Sequence, residues 1–341
     1  ELADAFVEAA VQAGFPRNDD VNGASADGFG YNQVTIRGGR RSGTATEYLR
    51  PARRRPNLKV FLHALATRVL IRDGRAVGVE FRRNGVVESV SARREVVLAG
   101  GTFNSPQLLQ ASGVGPADLL RSHAIPVVAN LPGVGSNLQD HFQLTVGYRC
   151  TRPVTVNDVV NNPLRRTAMG IQYLLFRKGL MATNANLAGG GIRTDPSFAS
   201  PNCRLQLRLW GRSVTGRSKE RMGLHPFSSF IVSATMVHPD NRGSVRIKGP
   251  DTAVAPEIRF NYFVSERDQH ACVVALQTIR KLMSMPAIAP YVAEEMSPGP
   301  QCVSDADLIE FCRKRGNTNH HQVGTCKMGV DGEAVVDPRL R

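Results

Sequence analysis

Along the first fourteen residues Leu2, Phe6, Ala9 and Ala13 recur at helical spacing. Gly14 follows, a residue that tolerates the left-handed conformation after a helix end, so the pattern predicts an amphipathic helix that stops there. From Asn18 to Tyr31 glycines and asparagines leave no period, which predicts irregular chain. The period then changes to two. Val69 to Arg72 leads to an Asp73-Gly74 turn, Val77, Val79 and Phe81 alternate with Gly78 and Glu80, and Asn84-Gly85 turns into Val86 to Ser91. Three strands in a meander are expected. Glu95 to Ala99 is almost wholly apolar and is expected as a fully buried strand running into Gly100-Gly101, where a ligand could approach the backbone closely.

Past His141 the pattern predicts irregular strands to about Ser200, then strand-like runs from Arg204 to Leu209 and Phe230 to Met236. Two later helices announce themselves by capping boxes, Ser265 with Asp268 and Ser304 with Asp307, the second ending at Gly316. There is no internal repeat, and the texture changes near residue 148.

With 42% hydrophobic and 21% charged residues, the 341-residue chain belongs among globular proteins. Its longest apolar runs fall far short of the ~18 residues of a membrane span. Glu1 stands where a Met would begin a chain, and Arg341 interrupts what reads as a continuing motif, so both ends are expected to be cut. Six cysteines without C-x-x-C spacing are expected as reduced thiols in a cytoplasmic protein, with attachment at a membrane surface left open. The formal charge of +14 raises nucleic acid or an anionic membrane as partners. The arginines are scattered, however, and aromatics make up only 6% of the chain, so a solvated basic surface without a nucleic-acid partner is expected.

The run GTFNSPQLLQASGVG at residues 101–115 reads by itself as a turn through Ser105-Pro106 into a short helix. It resembles a signature of the glucose-methanol-choline oxidoreductases. So do Thr44 to Arg53, Arg55 to Leu58, the strand Val77 to Phe81, LPGVGSNLQDH at 131–141, HQVGTCKMG at 321–329 and Val335 to Pro338. The overall texture is similar to the choline-dehydrogenase-like branch.

This resemblance implies an α/β (α+β) protein: a Rossmann-like FAD-binding domain, incomplete here, plus a substrate domain on an antiparallel sheet. The expected division is 1–148, 149–304, and a return to the first domain in 305–341. It also implies FAD as cofactor and oxidation of an alcohol CH–OH group to aldehyde or ketone, with hydride passing to flavin N5. Ala99, Gly100 and Gly101 would lie beside the FAD, and Ala66, where Val is usual, would meet adenine through its backbone. His321 matches the family's catalytic histidine; imidazole is suited to accept the hydroxyl proton as hydride leaves. His320 is the natural confuser, because on an extended segment adjacent side chains point to opposite faces. Asn137, Asp140 and His141 are expected to support the site rather than catalyse.

Two histidines in sequence converge poorly on one ion, so no metal site is expected. Cys326 is read as a buried thiol. Gly133 to Leu138 begins like a dinucleotide fingerprint but lacks the third glycine. The family's G-x-G-x-x-G is not found in these 341 residues, nor is its second active-site Asn or His. This segment alone is therefore expected to bind FAD poorly. The electron acceptor, oxygen or a quinone-type carrier, stays open. Two other functions also remain: a flavin-containing lyase of the same fold that cleaves cyanohydrins, and a basic binding protein without enzymatic activity.

Overall fold

The computed structural model describes residues 1–184, 186–212 and 223–341. The chain forms two compact units, each assembled from three separate stretches: residues 1–54, 141–239 and 265–319 in the first, and 55–140, 240–264 and 320–341 in the second.

The first unit is built on a seven-stranded antiparallel sheet. Its order is Gly28–Tyr31, Ala188–Ile192, Cys203–Arg208, Ser229–Met236, Phe142–Cys150, Val292–Ser297, with Asn317–Thr318 also pairing with Phe142–Cys150. Alternation fixes which face is covered. On Cys203–Arg208 the apolar Cys203, Leu205 and Leu207 are buried while Arg204, Gln206 and Arg208 lie half-buried on the other face. Helices Leu2–Gln12 and Glu266–Met283 pack on the sheet, and their buried residues follow helical spacing: Leu2, Phe6 and Ala9 in one, Cys272, Leu276 and Ile279 in the other. Ser304 and Asp307 form the expected capping box, and Ser265 caps its helix by accepting the Asp268 backbone N–H.

Two expectations for this unit fail. The Gly-rich stretch ending at Tyr31 is not irregular throughout, because Gly28–Tyr31 is an edge strand registered on Ala188–Ile192 from Gly28↔Gly191 to Tyr31↔Ala188. Small residues suit both strands, because each strand lies close against its neighbour's backbone. The region after His141 is also not merely irregular strand. Phe142–Cys150 is the long inner strand of the sheet, and Pro163–Phe176 is a helix that Asn162 caps by accepting from the backbone of Leu164 and Arg165. Pro at the first helical position starts it at no hydrogen-bond cost.

The second unit contains the predicted meander, Ala64–Arg72, Arg75–Arg83 and Val86–Ser91. It also holds the helix Gly101–Ala111 and a hairpin-like pair, Ser244–Arg246 with Glu257–Arg259. The expected buried strand at Glu95 to Ala99 does not form: these residues have no sheet partner among the described residues, and Val97 is 77% exposed. Apolar composition suits a segment to a sheet but does not supply the neighbouring strand that would bury it.

Candidate active site

The signature helix organises the second unit. Its buried Gln110 donates from Nε2 to the carbonyls of Val134 and Val245, each at 3.1 Å, and accepts from the Ile247 backbone at 2.9 Å. Ser112 donates to the Leu108 carbonyl and accepts the Val69 backbone N–H at 2.8 Å, tying the helix end to the first meander strand. These polar side chains satisfy backbone groups that a loop-rich region would otherwise leave unpaired.

A cleft of about 420 Å³ opens between the meander and the start of this helix. Ala66, Ala99 and Gly100 line it together with Leu98, Gln107 and Thr252. Three of the four residues expected to contact a cofactor thus share one cavity, and the fourth, Gly101, begins the helix directly beside it. Gly101 has φ +77° and nothing within 4 Å of where a Cβ would stand, so a glycine here serves the backbone conformation and leaves open space. The helix begins earlier than expected, at Gly101 rather than after Ser105-Pro106.

That early start leaves Pro106 inside the helix, where its missing N–H would leave the Thr102 carbonyl without its i+4 donor. Thr325 fills the gap: its hydroxyl donates to Thr102 O at 2.6 Å. The Thr102 hydroxyl in turn donates to Gln322 O at 2.6 Å. One threonine beside the double glycine therefore grips both ends of the segment that follows His321.

The same segment is held from its other side by the 131–140 loop. Gln139 and Val323 exchange both backbone hydrogen bonds at 2.9 Å, and Gly135 N–H donates to Thr325 O at 2.8 Å. Gly324 has φ +98°, and a Cβ there would stand 2.3 Å from the Asn137 carbonyl, so only glycine fits. Asp140 completes the hold. It is 1% exposed, and its carboxylate accepts the His321 backbone N–H at 3.0 Å, the Gln322 amide at 3.2 Å and the Tyr262 hydroxyl in a short contact. A buried carboxylate is tolerated when donors converge on it in this way.

His321 itself is exposed while its backbone is fixed. His320 has φ +60°, so the two histidines sit at a bend and not on the extended segment expected. Cys326 is half-buried rather than enclosed as expected, and partial burial still raises its thiol to about 11, which keeps it protonated near neutral pH. The six cysteines are free thiols, four of them buried.

Sequence reasoning did not single out Thr102, Thr325, Gln322 or Tyr262. A signal existed for the first two: a proline four residues after Thr102 in a helix leaves one carbonyl in search of a donor.

The lining fits, in part, the flavin cofactor that the resemblance implies. Small side chains and backbone at Ala66, Ala99 and Gly100 suit a flat heteroaromatic group. The Ala66 carbonyl accepts from the Thr252 hydroxyl at 2.9 Å, so this oxygen is already engaged at the cleft wall. No lysine or arginine lines the cleft, so it offers nothing to neutralise a pyrophosphate.

Comparison with known proteins agrees with the motifs. Two family models, both described as GMC oxidoreductase, match residues 1–143 and 239–341. The chain is 41% identical over its whole length to an oxygen-dependent choline dehydrogenase of Stenotrophomonas maltophilia strain K279a, and 42% identical to one of Pseudomonas aeruginosa strain LESB58. It spans 60% of the length of each of these relatives. Among solved structures, pyridoxine 4-oxidase from Mesorbium loti superposes with a TM-score of 0.84 at 28% identity, covering all of this chain and 62% of that one. Formate oxidase of Aspergillus oryzae RIB40 reaches a TM-score of 0.89 at 22% identity, over 99% of this chain and 63% of that one, a likeness of fold alone. With these matches and the signature segments gathered around one helix, the chain belongs to the GMC oxidoreductase family.

Proposed function

We propose that the full-length protein carrying this chain is an FAD-dependent enzyme that oxidises an alcohol CH–OH group to an aldehyde or ketone, with His321 accepting the hydroxyl proton. The observation that carries this reading is the pairing of an exposed His321 with a rigidly held backbone. Asp140 fixes its N–H, and Thr102 fixes the next carbonyl from the helix that starts at Gly101. A base held this way pays little reorganisation cost when the substrate arrives.

Bound FAD would supply the hydride acceptor. Ala66, Ala99 and Gly100 are assigned to hold it through backbone contact in the 420 Å³ cleft, with Gly101 at the helix start beside them. The pyrophosphate is not assigned to any residue here. Relatives named as oxygen-dependent choline dehydrogenases make choline the first alcohol and oxygen the first acceptor to try.

The test is anaerobic mixing of the FAD-loaded full-length protein with a panel of alcohols. Bleaching of the flavin absorbance at a saturable rate supports oxidation. Cyanohydrin cleavage with the flavin spectrum unchanged would replace the proposal with a lyase.

A further inference from the structure

We propose that Tyr262 is a positioning residue for the proposed base, acting on His321 through Asp140. Its consequence for the reaction rests on the alcohol-oxidation reading; its geometry rests on contacts within the second unit alone.

The Asp140 carboxylate uses its two oxygens differently. Oδ1 accepts the His321 backbone N–H at 3.0 Å, while Oδ2 accepts both the Tyr262 hydroxyl and the Gln322 side-chain amide. The last torsion of an aspartate is broad, so one hydrogen bond does not fix the carboxylate plane. Donors on Oδ2 do fix it, and they aim Oδ1 at the peptide that joins the two histidines. That peptide needs holding. His320 ahead of it has φ +60°, a left-handed conformation uncommon outside glycine. The hydrogen bond to Oδ1 keeps this bend from relaxing and so sets the point from which the His321 side chain projects.

Of these two donors on Oδ2, Gln322 follows His321 directly and moves with it, whereas Tyr262 comes from a separate turn. That turn is strained on both sides of the tyrosine: Asn261 has φ +54° and Phe263 has φ +61°. Asparagine tolerates the left-handed region, but a bulky phenylalanine there is an outlier. Strain of this kind persists only where the surroundings over-determine it, and it clusters at functional sites. The surroundings are visible. Asn261 donates from Nδ2 to the Arg242 carbonyl at 2.8 Å, and Asn241 donates to the Phe260 carbonyl at 3.1 Å. The Tyr262 ring stacks on Phe260, with centres 4.8 Å apart and planes 7° from parallel. Phe260 in turn meets Phe103 edge-on at 6.3 Å, in the first turn of the signature helix. The strained turn thus presents one hydroxyl to the buried carboxylate, and the rings beneath tie that hydroxyl to the helix that starts at Gly101.

The test is the variant Tyr262→Phe in the FAD-loaded full-length protein, read in two ways. Hydrogen exchange followed by mass spectrometry should show the backbone of residues 319–324 exchanging about tenfold faster, with the strand Ser229–Met236 unchanged. Anaerobic flavin reduction by an accepted alcohol should fall about tenfold in its limiting rate, at an unchanged half-saturating concentration. Adding Tyr262→Phe to Asp140→Asn should slow reduction no further than Asp140→Asn alone, because the two residues act in series. Unchanged exchange at 319–324 would overturn the proposal. So would a wild-type limiting rate in Tyr262→Phe, or losses that multiply in the double variant. If no alcohol bleaches the wild-type flavin, the oxidation reading fails, and the exchange rates still decide whether Tyr262 holds the histidine.

Discussion

Ser229–Met236 and Glu95 to Ala99 are both short apolar runs of the kind expected in a buried strand, and only one of them is buried. Every residue of Ser229–Met236 is enclosed, with Cys203–Arg208 registered on one side and Phe142–Cys150 on the other. Glu95 to Ala99 has no strand beside it among the described residues, and its Val97 is largely exposed. The difference is one of neighbours, not of composition. Where a stretch lacks such neighbours, single polar side chains hold the chain by its backbone groups: Gln110, Ser112, Thr102, Thr325 and Asp140 in the second unit, and Asn157 and Asn202 in the first.

The sharpest way to break this contrast is to truncate one side chain in each run. Phe230 is fully buried and stacked on Tyr148, so Phe230→Ala is expected to cost about 3–5 kcal/mol in denaturant unfolding. Val97→Ser should stay within about 0.5 kcal/mol in this chain. Equal losses would mean that Val97 is buried after all.

The polar network comes next. Asp140→Asn keeps the shape but removes the charge on which three donors converge. In the full-length protein kcat is expected to fall on the order of 10²-fold through misplacement of His321, and stability by about 1–3 kcal/mol, because one carboxylate oxygen becomes an NH2 that faces donors in a buried site. A rise in KM alone would show that the residue acts on binding. Thr325→Val leaves the Thr102 carbonyl without a donor in a buried setting and should cost about 1–3 kcal/mol in chemical denaturation.

The smallest effect belongs to a local helix end. Ser304→Ala removes the cap of Asp305–Arg315 and is expected to cost about 1 kcal/mol. The Ser304 hydroxyl also holds the Asp307 carboxyl below its ordinary value of 3.8. Its contribution is therefore present above that value and fades as pH falls through the lower folded-state value. Stability measured in acid should show a shallower pH dependence in the variant than in the wild type.

Much of this molecule could be read from its residues wherever the signal is local. The opening helix, the meander with its Asp73-Gly74 and Asn84-Gly85 turns, and the capping residues Ser265 and Ser304 depend on side chains a few positions apart. The motif residues Ala66, Ala99 and Gly100 do meet in one cleft. What escaped depends on distant partners. The edge strand Gly28–Tyr31 forms only because Ala188–Ile192 lies beside it. Glu95 to Ala99 fails to form for want of such a neighbour. The clamp from Thr102 to Gln322 and Thr325 spans more than two hundred residues, beyond any periodicity argument. The helix Pro163–Phe176 also escaped, because irregular strands alone were expected between His141 and about Ser200.

The proposed transfer of the alcohol's proton to His321 is tested most directly by the rate of anaerobic flavin reduction by an accepted alcohol, in the full-length protein and in His321→Ala. The expected result is a fall of about 10²- to 10⁴-fold, with FAD binding and the melting temperature unchanged. Flavin reduction at the wild-type rate in the variant would contradict it.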